Sequence, residues 1–212
     1  MYKHSSSIKD IQDNYISNKI KFVKLHDYTK TIAVEYIQKD EIIIIEYPKI
    51  NLFGEKQNNR ELKILKKYIE NKDNYDIINL YPRDYNFIRT YLIKSVHNLI
   101  KSIKCIDQKL YNFLIDYKKE DLEFYFAKYI FNSFEGHEFG PLTLPNIAKL
   151  NHSCNPNVKF NFNKNNRYMY VKSIRNIKKG EEIFDSYLEN KKITEHKLYL
   201  RNHYGFICQC QC

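Results

Sequence analysis

Four consecutive isoleucines, Ile42 to Ile45, place the firmest constraint on how this chain folds. β-Branched side chains at every position leave such a strand without a polar face, so both faces must be covered. Two further strand-like stretches precede it, Lys21 to Leu25 and Thr31 to Tyr36, and Gln38-Lys39-Asp40 supplies the turn into Glu41 to Tyr47. The chain therefore begins with a β core.

The pattern then changes period. From about Asn59 to Asn132 apolar residues recur at helical spacing, as in Ile88, Leu92, Val96, Leu99 and Ile103. Within this helical insertion, Leu122 to Phe131 is apolar around most of its circumference and predicts a helix buried between layers. Strand character returns after Pro141 and Pro145. Val158, Phe160 and Phe162 alternate, Asn163 to Asn166 turn, and Arg167 to Ile174 runs back as the second arm of a hairpin. Lys178-Lys179-Gly180 turns again into a short strand ending at Tyr187, and a helix from about Thr194 to Asn202 precedes the end of the chain.

With 212 residues, 43% hydrophobic and 28% charged, the chain is long enough for one domain with a real core. No window approaches the roughly 18 consecutive apolar residues of a membrane span. The opening MYKHSSSIKD lacks the apolar centre of a secretory signal, so a nuclear or cytoplasmic location is expected. The formal net charge of +10 fits an acidic partner such as nucleic acid or chromatin. A solvated basic surface explains it equally, because Lys, Asn, Ile and Tyr are all abundant and Trp is absent. Direct nucleic-acid binding has one further support, the aromatic and basic interleaving of RYMYVK, and a hairpin core accounts for that as well.

Five cysteines in a reducing compartment argue against disulfides. Cys208, Cys210 and Cys212 crowd the last five positions, and Cys154 stands beside His152. A terminal C-x-C-x-C reads as metal binding. Cys105, left on a helical stretch, reads as an ordinary buried thiol. The polar run Asn151-His152-Ser153-Cys154-Asn155-Pro156-Asn157 stops regular structure. It is either a capped turn or a set of hydrogen-bonding groups for a ligand.

Three pieces taken together, Asn-His-Ser-Cys-Asn-Pro-Asn, Gly180-Glu181-Glu182 followed by a strand to Tyr187, and His203 to Cys210 as HYGFICQC, resemble the SET-domain protein-lysine methyltransferases. The likeness is greatest to the SET- and MYND-domain branch. It runs from Asn132-Ser133-Phe134 to Cys212, and no MYND finger is present, since the insertion offers only Cys105 and His97 as ligands. The resemblance implies an α+β, mainly β fold of small sheets with a C-terminal pseudoknot, a helical insertion and a zinc-binding tail. It implies S-adenosylmethionine as cofactor, held by Lys30, Asn132, Asn151, His152, Tyr187 and Phe206. Tyr187 is then the catalytic residue, where methyl donor meets lysine, and Tyr204 and Phe206 line the substrate channel. Cys154, Cys208, Cys210 and Cys212 become ligands of one structural zinc. The partner is a protein presenting a lysine, histones included, with no membrane involved.

The chemistry suits these residue types. A lysine amine must lose its proton to attack a methyl group, although its ordinary pKa is about 10.4, and an aromatic channel desolvates and aligns it. One departure matters. The family's Gly-x-Gly turn is replaced by Thr29-Lys30-Thr31, which leaves open a catalytically silent SET-fold module that binds peptide or chromatin. Residues 1–212 are expected to form a single SET domain. Its N-terminal strands lie in 21–58, the insertion in 59–131, the core motifs in 132–190, and the final helix and zinc tail in 191–212.

Overall fold

A computed structural model describes residues 13–26, 28–83, 95–188 and 193–210. The isoleucine run forms β4 (Ile42–Glu46). It sits inside a four-stranded sheet ordered β1-β4-β9-β8, antiparallel throughout, with β1 (Tyr15–Ile16), β8 (Val158–Asn163) and β9 (Tyr168–Ser173). Ile43, Ile44 and Ile45 are buried, as a run with no polar face requires. The predicted hairpin is β8 and β9, paired from Val158↔Ser173 to Asn163↔Tyr168. Tyr168, Met169 and Val171 are buried, so the aromatic and basic interleaving of this segment is that of a strand with one face in the core.

Among the described residues, three small two-stranded sheets accompany the four-stranded one. β2 (Ile20–Lys24) pairs with β3 (Thr29–Ala33), and β5 (Ser133–Glu135) with β6 (Pro141–Thr143). The third joins β7 (Asn151–His152) in parallel to β10 (Phe184–Asp185). One apolar cluster unites these sheets around Ile37, Ile43, Leu144, Val171, Ile177 and Ile183. This is the α+β architecture of small sheets that the resemblance implies, with helices contributing at least as much of the described chain as strands.

The insertion builds its own cluster. Its helices among the described residues are α1 (Arg60–Glu70), α2 (Tyr75–Ile78), α3 (Val96–Ser102), α4 (Gln108–Ile115) and α5 (Lys119–Asn132). In α5 every residue from Leu122 to Asn132 is buried or half-buried, which agrees with its broad apolar surface. Ile88 and Leu92, part of the periodic pattern, lie outside the described residues. Cys105 corrects an expectation: α3 ends at Ser102, and the thiol stands exposed in the following turn. Tyr68 of α1 meets Thr143 of β6 across the boundary, hydroxyl to hydroxyl at 2.9 Å.

Glu46, at the end of β4, fixes the approach to the polar motif. Its buried carboxylate accepts from Asn146 N–H at 2.9 and 3.0 Å, from Asn146 Nδ2 at 2.8 Å and from Ile147 N–H at 2.9 Å. Burial pushes its carboxyl pKa up against these donors. The chain leaves this anchored turn directly into β7. No helix among the described residues is long and apolar enough to cross a membrane.

Candidate active site

Parallel pairing of β7 with β10 sets Asn151 beside Phe184 and His152 beside Asp185, which brings two of the sequence motifs together. Ser153 N–H donates to Asp185 O at 2.8 Å. Asn157, only 1% exposed, locks the loop by donating to Glu182 O at 2.9 Å and accepting from Phe184 N–H at 2.8 Å. The polar run is thus a capped turn, with Asn155 N–H on Ser153 Oγ at 3.1 Å, and also the frame of a cavity.

That cavity, about 700 Å³ in volume, is lined by parts of the chain that are far apart in sequence, and its size is that of a small-molecule or cofactor site. Lys30, Asn132, Asn151, His152, Tyr187, Tyr204 and Phe206 all line it. Tyr187 OH donates to Leu150 O at 2.7 Å, and its ring packs on Tyr204 at 4.8 Å. Burial, with the charges of Tyr204 and Asp185, drives the Tyr187 phenol well above its ordinary pKa. It remains a neutral hydroxyl whose proton is committed to Leu150 O.

The region without glycines has a regular backbone. Thr29 to Thr31 lie in β3, paired with Val23 and its neighbours, and none of the three has a positive φ. Glycine's freedom is not needed in such a strand. Thr31 is fully buried, its hydroxyl on Lys149 O at 3.2 Å. Thr29 O accepts from Asn151 Nδ2 at 2.9 Å, and the same amide donates to Glu182 Oε1 at 2.7 Å. Lys30 reaches Glu182 Oε2 at 3.3 Å, and hydrogen bonding to that carboxylate raises the ammonium pKa.

Asn132 has a narrower part than the motif reading gave it. Its amide donates to Tyr81 O and to Lys128 O, so what it can offer a ligand is Oδ1. Sequence reasoning passed over several residues at the cavity. Glu182 was visible within the Gly-Glu-Glu element but had no assigned part. Arg83 carried no motif signal; it donates to Leu25 O, His26 O and Thr29 Oγ1 at 3.0–3.3 Å and so ties the insertion to the β2–β3 hairpin. Such a cross-chain tie is created by tertiary packing alone.

Behind His152 lies the cysteine cluster. Ligand-capable atoms of His152, Cys154, Cys208 and Cys210 all lie within 4.8 Å of one another. Cys154 Sγ and Cys208 Sγ are 3.6 Å apart, close to the edge of about 3.8 Å expected for a tetrahedron of 2.3 Å zinc–sulfur bonds. Backbone N–H groups of Cys154 and Cys210 point at the sulfurs of Cys210 and Cys208, at 3.4 and 3.3 Å. These donors favour thiolates, so the residues fit a soft divalent metal. Cys212 lies outside the described residues.

Comparison with known proteins agrees with this geometry. A protein-family model described as the SET domain matches residues 31–188. A SET domain-containing protein of Acanthamoeba polyphaga mimivirus is 41% identical over 127 residues, which is 58% of this chain and 47% of the relative. Histone-lysine N-methyltransferase SMYD3 of Homo sapiens is 38% identical over 91 residues, 40% of this chain and 21% of that protein. The chain thus spans about half or less of the length of these relatives. Among solved structures, Rubisco LSMT bound to sinefungin and monomethyllysine superposes with a TM-score of 0.62 at 16% identity, over 90% of this chain and 52% of that one. The matched segment covers most of the chain and contains the β7–β10 pairing, the Asn-His-Ser-Cys loop and Tyr187, and on these grounds the chain belongs to the SET domain family.

Proposed function

We propose that this protein is an S-adenosylmethionine-dependent methyltransferase acting on the side-chain amine of lysine in a protein, histone or otherwise. The convergence of Asn151, His152, Tyr187, Tyr204 and Phe206 on one cavity is the observation that carries the reading. Family membership and relatives named as lysine methyltransferases support it. The cavity residues also fit the cofactor. Lys30 and Glu182 offer opposite charges beside Asn151, as an amino-acid zwitterion needs, and Phe206 offers an aromatic surface to a nucleobase.

In this reading Lys30, Asn132, Asn151, His152 and Phe206 hold the cofactor, and Tyr187 stands at its reactive end. The bound cofactor supplies an electrophilic methyl group on a sulfonium. The protein's work is to bring a neutral amine into line with it. Tyr187, Tyr204 and Phe206 form an aromatic group, Tyr204 and Phe206 lying 4.8 and 6.3 Å from the Tyr187 ring. They strip water from the incoming lysine, which favours its uncharged form and restricts its approach. The neutral Tyr187 hydroxyl orients the amine; the proton leaves to water before the transfer. Cys154, Cys208, Cys210 and Cys212 would hold a structural zinc, which would help keep Phe206 against the cavity.

The silent-module alternative rested on the missing glycines. An extended β3 with no positive φ counts against the conformational part of that reasoning. The test is transfer of a radiolabelled methyl group from S-adenosylmethionine onto histones and onto a mixed lysate in parallel. Label should appear on protein lysine in at least one arm. No transfer, together with no calorimetric binding of S-adenosylmethionine to the zinc-loaded protein, would remove the enzyme reading.

A further inference from the structure

His152 touches both the cysteine cluster and Tyr187. Its Nε2 lies 3.3 Å from Cys154 Sγ, which makes it the obvious fourth ligand for a metal held by Cys154, Cys208 and Cys210. Its other nitrogen decides otherwise. Nδ1 accepts the backbone N–H of Tyr187 at 3.0 Å, so Nδ1 carries a lone pair and no proton. A neutral imidazole has one N–H, and here that proton must be on Nε2. Nε2–H then points at Cys154 sulfur as a donor and has no lone pair for a metal. Ligation through Nε2 would leave both ring nitrogens bare, an imidazolate, or would break the Tyr187 bond.

We propose that His152 is not a metal ligand but a positioning residue that links the Cys154 thiolate to the backbone of Tyr187. The link runs Tyr187 N–H to Nδ1, through the ring, and from Nε2–H to Cys154 Sγ. Aromatic neighbours hold the ring in place, with Tyr187 at 5.3 Å and Phe206 at 6.1 Å between centroids. Two consequences follow. The N–H···S bond spreads the charge of Cys154 and orients its sulfur, as partners of ligating residues do at metal sites. The position of Tyr187 is also set by the same sulfur that binds the metal, so the metal centre and the reacting end of the cavity are one mechanical unit. The fourth metal position falls to a donor other than His152.

The effect on turnover rests on the methyltransferase reading, whereas the tautomer and the ligand set do not, and the experiment keeps them apart. In the zinc-loaded wild type, long-range proton–nitrogen correlation of the histidine rings should show His152 with a bare Nδ1 and a protonated Nε2. A protonated Nδ1 with metal-bound Nε2 would overturn the proposal. In cobalt-substituted protein, His152→Ala and His152→Asn should each keep one metal per chain and the charge-transfer intensity of an unchanged number of thiolates, with the bands shifted in energy by loss of the N–H···S bond; loss of the metal or a changed ligand set in both would overturn it. Where methyl transfer is measurable, His152→Ala should lower kcat by at least about tenfold, and His152→Asn, whose Oδ1 can accept the Tyr187 N–H, should recover part of it. Unchanged kcat in His152→Ala would exclude the positioning role. Absence of transfer in the wild type would count against the enzyme reading and leave the nitrogen and cobalt results to decide this one.

Discussion

At the scale of single residues, Tyr187 is held from three sides. Among nineteen tyrosines nothing in its own side chain sets it apart. What distinguishes it is a hydroxyl fixed on Leu150 O, a backbone N–H fixed on His152 and a ring against Tyr204. Because burial keeps the phenol neutral, removing its hydroxyl should act through orientation and not through lost basicity. Tyr187→Phe should lower methyl-transfer turnover at least about tenfold while cofactor affinity changes by less than about threefold. Turnover assays beside calorimetry read both numbers, and wild-type turnover would take Tyr187 out of the site. The motifs made Tyr187, Asn151 and His152 legible in the sequence. Glu182 and Arg83 were not, because an ion pair to Lys30 and a clamp on the 25–29 segment exist only once distant segments meet.

Among the elements, α5 does more than fill the insertion. Lys128 is buried to 1% and donates to Ile78 O at 3.1 Å and Leu80 O at 2.7 Å. One turn later Asn132 holds Tyr81 O. The helix thereby fixes the segment that contributes Asn79, Leu80 and Tyr81 to the cavity wall. Desolvation, with the charge of Arg83, lowers the Lys128 pKa to about 8 from 10.5. The unfolded chain then binds this proton more tightly than the folded one. Folded-state stability should rise with pH between those two values and level off below the lower one, where both states hold the proton. Lys128→Met lacks that slope. Urea unfolding of both proteins at about pH 7.5 and pH 10 should show the wild type gaining on the variant by roughly 1–3 kcal/mol. An equal difference at both pH values would show that Lys128 does not carry the buried charge. Periodicity foretold a buried helix here; it did not foretell a lysine on the buried face, since an apolar pattern cannot show where free carbonyls will lie.

For the molecule as a whole, the hydrophobic clusters are unequal. The β core and the insertion each bury more than a dozen side chains, whereas the tail cluster consists of Leu188, Leu200 and Cys208 with half-buried neighbours. Ile207 is 61% exposed and Phe206 37%. With so little apolar contact holding residues 205–210 against the cavity, a metal bound to the thiolates would add to the closure. Chelation of the zinc-loaded protein should lower Tm by about 4–8 °C, the shift expected for roughly 2 kcal/mol in a domain of this size. Scanning calorimetry with and without chelator checks it. An unchanged Tm would show that the tail closes without metal.

Local chemistry was enough to determine part of this protein. The β-branched run required a covered strand, the alternation in 158–173 required a hairpin, and the polar motif, the Gly-Glu-Glu strand and the cysteine-rich tail pointed to one family fold and one site. Each is a short-range pattern in which side-chain spacing maps directly onto backbone geometry. Tertiary structure alone decided the rest. It made Thr29 to Thr31 an extended strand in place of a glycine turn, exposed Cys105, set Glu182 opposite Lys30, and turned the ring of His152 so that one nitrogen meets Tyr187 and the other meets sulfur. These outcomes depend on which distant segments come within hydrogen-bonding reach, and parallel pairing of residues 151–152 with 184–185 is a contact that no local pattern encodes.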